Sequence, residues 1–149
     1  KALALAVQDI CAHEGRKFAL IHFAGEDALR TDRFLPGQYT ANDLLSAAEH
    51  FFDGGTDFET PLREALRLIN EEAFDNADIL FITDGQCSIS DELAEQLQAA
   101  IQDARCSVVG LLLDADSPGM AFSLEKFCEK VVRTSEMDKD GTEQILLKC

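Results

Sequence analysis

Three short runs in this chain are apolar over nearly their whole length: residues 18–24 (FALIHFA), 78–83 (DILFIT) and 107–113 (SVVGLLL). A strand with one wet face alternates apolar and polar positions, whereas a strand apolar at successive positions is covered on both faces. Segments of helical spacing lie around these runs. Leu3, Val7 and Ile10 recur with Ala6 beside them, and Gly15 supplies a stop. Leu62, Ala65, Leu66, Ile69 and Ala73 form a second stripe, with Pro61 suited to a first turn. Leu93, Leu97, Ala100, Ile101 and Ala104 form a third, with Ser88 or Ser90 placed to cap it. Buried strands alternating with amphipathic helices predict an α/β fold, a mostly parallel doubly wound sheet between two helical layers in a three-layer α-β-α arrangement.

The remaining segments fit that frame. Residues 28–34 are short and polar after a turn at 25–27, which predicts an antiparallel edge strand with charges blunting its free edge. Thr40 or Asn42 can cap a short helix reaching roughly His50, with Asp43 near its positive end. Residues 51–57 (FFDGGTD) read as a loop. A weak helix near 122–128, a strand at 130–133 and a helix near 141–148 complete the chain. With no repeat, linker or low-complexity tract, residues 1–149 read as one domain.

Bulk chemistry narrows the function. The formal charge is -15 and the sequence pI about 4.4, so phosphate backbones are repelled and nucleic acid is not the expected partner. The apolar runs are too short to span a bilayer, and residues 1–7 lack the pattern of a signal peptide. Five cysteines, an odd number without C-x-x-C spacing, point to reduced thiols and a cytoplasmic setting, with Cys11 and Cys106 as small core residues. The three histidines are scattered. His22, inside an apolar run, reads as a satisfied or edge-facing side chain rather than a ligand or base.

Ligands of open α/β sheets bind outside the carboxyl ends of the strands. There the sequence places oxygen donors: Thr56 in the glycine loop, Asp84 after one buried strand, and Asp114 and Asp116 after the next. Hydroxyl and carboxylate oxygens suit Mg²⁺, Mn²⁺ or Ca²⁺ rather than zinc. The plainer alternative is that Gly54-Gly55 makes a turn, Thr56 or Asp57 caps the following helix and Asp84 caps a loop. Spacing alone does not separate the two.

The segments FFDGGTDFETPLREAL (51–66) and ADILFITDG (77–85) resemble the second and third metal-site motifs of von Willebrand factor A (VWA) domains. Their order, with one helix between them, is similar as well, and in wording they are closest to bacterial CoxE-like and ViaA-like VWA proteins. The resemblance implies a non-enzymatic protein-binding module with a metal-ion-dependent adhesion site, at which a partner's carboxylate completes the coordination of Mg²⁺ (or Mn²⁺ or Ca²⁺). Thr56 would be a direct ligand, Asp84 a ligand directly or through water, and Asp57 a helix cap. A MoxR-type AAA+ ATPase is the partner this resemblance implies. The family's first central strand, which carries D-x-S-x-S, does not precede Lys1, so the chain is expected to be an N-terminally truncated domain that holds metal weakly or not at all. A Mg²⁺-dependent hydrolase or phosphoryl-transfer enzyme using Asp84 is the competing expectation, and a metal-independent VWA scaffold a third. Neither a His or Lys beside Asp84 nor a G-x-x-x-x-G-K-[ST] loop supports the enzyme.

Overall fold

A computed structural model describes residues 2–71, 74, 76–85, 87–103, 106–113 and 124–134. Contacts divide the chain into two compact units, residues 1–64 and 65–149.

The first unit opens with α1 (Ala2–His13), which packs against β1 (Phe18–Phe23). Its buried face is Ala4, Val7, Gln8 and Cys11 rather than the expected Leu3, Val7 and Ile10, and Ala6 is exposed. That i, i+3, i+4, i+7 stripe includes a polar member because the amide of Gln8 donates to the Tyr39 hydroxyl at 3.0 Å, which satisfies it away from water. Gly15, at φ +68, ends the helix, and Arg16 N–H bonds back to the Cys11 carbonyl at 2.7 Å.

β1 pairs antiparallel with β2 (Leu29–Phe34) in the register Phe18 to Phe34 through Phe23 to Leu29, the hairpin that the sequence predicts. The turn closes through Ala28 N–H to the Gly25 carbonyl at 3.1 Å, and Asp27 takes the left-handed conformation at φ +67, which a short polar side chain tolerates. The polar residues of β2 are paired. Arg30 donates to Asp32 Oδ1 through Nη2 at 2.8 Å and Nε at 3.1 Å, and to Ser46 Oγ at 2.9 Å. His22 Nε2 lies 3.4 Å from Asp32 Oδ2.

Helix α2 (Ala41–Glu49) begins with a capping box at Thr40, not Asn42. The Asp43 carboxylate accepts from Thr40 N–H at 2.7 Å, and Thr40 Oγ1 accepts from Asp43 N–H at 3.4 Å. The hydroxyl and the N–H of Thr40 hold the Asp43 carboxyl below its ordinary value.

α3 (Glu59–Ile69) runs from the first unit into the second. Leu62, Ala65, Leu68 and Ile69 are buried, so Leu68 takes the place expected of Leu66, which is half-buried. Ala73 lies outside the described residues.

The second unit carries a parallel sheet in the order β3 (Ile79–Thr83), β4 (Val108–Leu112), β5 (Lys130–Arg133). Val108, Leu111 and Leu112 of the central strand are fully or almost fully buried on alternate and successive positions, which is why its sequence does not alternate. Helix α4 (Asp91–Gln102) buries Leu93, Leu97 and Ala100 and is capped by Ser90, whose Oγ accepts from Leu93 N–H at 3.4 Å. Side chains also fix the sheet's entry. Asp78 Oδ1 accepts from Ser107 N–H, and Glu129 Oε2 from Val108 N–H.

The chain is therefore α/β, with a parallel three-stranded sheet and an antiparallel pair, hydrogen-bonded as two sheets among the described residues. The helix expected near 122–128 lies partly outside them. Its described end is a turn in which Phe127 and Cys128 N–H both bond to the Leu124 carbonyl. The helix expected near 141–148 lies outside them altogether. No described helix is long and apolar enough to cross a membrane.

Candidate functional site

The loop that displays Thr56 is built from its two ends inward. At the C-terminus of α2, His50 leaves the helical conformation. Its ring meets that of His22 edge-on at 5.2 Å, and the ring of Phe52 at 4.5 Å. These contacts seat the start of the loop against β1 while Phe51 points outward.

Gly54 and Gly55 then take successive left-handed conformations, φ +73 and +71, which reverse the chain. Two main-chain bonds clamp the reversed segment to the end of β1: Gly25 N–H to the Gly54 carbonyl at 3.0 Å, and Asp57 N–H to the Ala24 carbonyl at 2.7 Å. Gly55 is needed for space as well as conformation, since a Cβ there would stand 2.8 Å from Gly25 Cα. Thr56 sits between the clamps and is exposed. A flexible loop would pay an ordering cost to present its hydroxyl to a ligand; here folding has already met it.

Asp57 turns away from any ligand role. Its Oδ1 accepts from Glu59 N–H at 3.0 Å and its Oδ2 from Thr60 N–H at 3.2 Å, so it caps α3. Burial pushes its carboxyl pKa upward, but hydrogen bonds from the Thr60 side chain and the Glu59 and Thr60 N–H groups outweigh that and hold it below the ordinary 3.8. Asp57→Ala is expected to cost about 1 kcal/mol in a denaturant titration at neutral pH. Because the folded pKa is the lower one, the cap's contribution is complete above the ordinary carboxylate value. It fades as pH falls through the folded value, so the gap between wild type and Asp57→Ala should close in acid.

Asp84 is placed by different means. Thr83 is buried, its carbonyl accepts from Leu113 N–H at 2.8 Å, and its Oγ1 accepts from Gly85 N–H at 3.0 Å. The ladder thus runs to the last residue of β3, and the hydroxyl bends the chain immediately beyond it. Asp84 lies in that bend, exposed, at the carboxyl end of the parallel sheet. Thr83 is a positioning residue that the sequence reading did not pick out. The signal was present, a threonine closing an apolar strand directly before Asp-Gly. Thr56 and Asp84 belong to different units, each held by its own strand end. Asp114 and Asp116 lie outside the described residues.

Both exposed side chains offer hard oxygen donors of the kind a hard divalent cation takes. Among the described residues no three His, Cys, Asp or Glu side chains gather closely enough to cage an ion, so the candidate ligands are a hydroxyl and single carboxylates. Of the described cysteines, Cys11 and Cys106 are buried, and Cys11, Cys87 and Cys128 are free thiols. Desolvation pushes the Cys128 thiol up to about 12, and its Sγ fills the space where a Cβ on Gly110 would stand. Cys128 is therefore expected to resist iodoacetamide at mildly alkaline pH in the native protein and to label after denaturation, as read by peptide mass mapping.

No protein-family model matches the chain. Two uncharacterized proteins of the archaeon Methanocaldococcus jannaschii are similar to it. One, MJ0077, is 29% identical over 145 residues, covering 97% of this chain and 35% of the relative. The other, MJ0811, is 31% identical over 116 residues, covering 76% of this chain and 26% of the relative. The chain spans only about a third of the first relative and a quarter of the second, so the similarity is to part of two longer proteins.

Proposed function

We propose that this chain is a VWA-type protein-interaction module in which Thr56 and Asp84 contribute oxygen ligands to Mg²⁺ or a similar hard cation, and a carboxylate of the partner completes the coordination. The observation that carries the reading is the doubly clamped glycine loop, which holds the Thr56 hydroxyl exposed beside the carboxyl end of β1. The bend that exposes Asp84 at the end of a parallel strand supports it. In this reading the architecture is the mostly parallel, doubly wound α-β-α type, with β2 as an antiparallel edge strand. A site with few protein charges leaves a divalent cation under-neutralised and ready for an incoming carboxylate. The activity is recognition rather than catalysis, and the partner implied by the resemblance is a MoxR-type AAA+ ATPase in the cytoplasm.

The 149 residues contain no D-x-S-x-S, so calorimetric titration with Mg²⁺ is expected to show affinity weaker than micromolar. Capture of a purified MoxR-type ATPase is expected in Mg²⁺ and to be lost in EDTA, in Thr56→Ala and in Asp84→Ala. Capture indifferent to chelation and to both substitutions would sink the metal reading and leave a metal-independent scaffold.

A further inference from the structure

Among the described residues, two large apolar side chains are left exposed, Leu45 at 54% and Phe51 at 72%. Single exposed apolar residues are ordinary. These two lie six positions apart around the end of α2, in a stretch with an unusual charge pattern. From Phe34 through Leu62 the sequence has no lysine or arginine, while Asp43, Glu49, Asp53, Asp57 and Glu59 all fall within it. Three of these acids have structural work: Asp43 in the capping box of α2, Asp57 in the cap of α3, and Glu59 in a pair with Arg63. Glu49 and Asp53 are exposed and stand two residues to either side of Phe51. On α2, Ala41, Leu45 and Glu49 are all exposed at i, i+4 spacing and so share one face.

We infer that the outward face of α2, continued through Phe51 and Asp53, is a docking surface for a basic amphipathic helix of a partner protein. Leu45 and Phe51 would receive apolar anchors recurring at helical spacing. Glu49 and Asp53 would meet the lysine or arginine side chains beside those anchors. Charge selects this occupant. A second copy of the chain would bring Glu49 and Asp53 against like charges, and nucleic acid or an anionic lipid surface would be repelled. Aromatic side chains including phenylalanine are enriched at protein interfaces, whose rims are polar. The inference is independent of any metal at Thr56.

The test uses a fluorescently labelled synthetic peptide of leucine and lysine, with leucines at i, i+3, i+4 and i+7, and a scrambled peptide of the same composition. By anisotropy, the patterned peptide is expected to bind at least about tenfold more tightly than the scrambled one. Leu45→Ser combined with Phe51→Ser should remove that preference and leave the scrambled peptide's affinity unchanged. Glu49→Gln combined with Asp53→Asn should weaken the patterned peptide about tenfold and flatten its salt dependence. All four positions are exposed, so circular dichroism should match wild type. Equal affinity for the two peptides would mean that only the general negative field attracts them, and a preference that survives the Leu45/Phe51 pair would place the patterned peptide on another surface; either result overturns the inference. Self-association in sedimentation that Phe51→Ser abolishes would assign the face to a second copy and overturn it as well.

Discussion

Gly55→Ala is expected to destabilise the protein by about 3 kcal/mol, against about 1 kcal/mol for Gly54→Ala, although the two glycines have nearly the same backbone conformation. At φ +73 and +71 both pay the left-handed penalty of an L-residue. Gly54 has open space where a Cβ would go, so alanine there pays little else. At Gly55 the new Cβ would stand 2.8 Å from Gly25 Cα and 3.2 Å from Gly25 N, and the obstacle is main chain, which cannot swing aside. Relief requires the loop to lift from the hairpin, which breaks the 3.0 Å bond from Gly25 N–H to the Gly54 carbonyl. Chemical denaturation checks the ranking, and amide exchange at Gly25 checks the cause. Equal losses for the two variants would mean that close approach to the hairpin contributes nothing.

Phe58→Ala should cost more, about 3–5 kcal/mol, a large part of the 5–15 kcal/mol that holds an ordinary domain folded. Phe58 is 0% exposed, and its ring meets that of Phe23 edge-on at 6.4 Å. It directly follows the cap residue of α3, so the substitution leaves a cavity beneath the loop that carries Thr56. Phe58→Leu retains most of the volume and should lose less than about 1.5 kcal/mol. Urea denaturation of the two variants separates the cavity from mere loss of the aromatic contact: similar large losses in both would assign the energy to the ring pair.

What the sequence made legible was whatever repeats at short range. Ile79–Thr83 and Val108–Leu112 fall where apolar runs predict strands, and the hairpin, the Ser90 cap and the Asp57 cap are local chemistry. Helix faces were less legible, because a face is set by what lies opposite. Gln8 is buried because Tyr39, thirty-one residues later, offers a hydroxyl, and no helical period encodes that. The candidate site divides in the same way. Residue types and spacing single out Thr56, Asp84 and the Gly54-Gly55 turn, but not Gly25 and Thr83, which also position them. Gly25 acts by approaching Gly54 and Gly55 across the fold, and Thr83 by bonding to Gly85 from a buried strand end.

The clamp on the glycine loop has a further consequence for how the Thr56 display comes into being. Both bonds reach residues 24 and 25, at the junction of β1 with its turn, from a loop some thirty positions downstream. Closing so long a span is entropically costly and is repaid only once β1 and β2 have zipped, because until then the Ala24 carbonyl and Gly25 N–H have no fixed place. Residues 18–57 should therefore open and close as one cooperative unit, with the Gly25 and Asp57 amides exchanging at a common rate. Ligand seated at Thr56 would slow exchange at the distant hairpin turn, so that turn can report occupancy without touching the ligand.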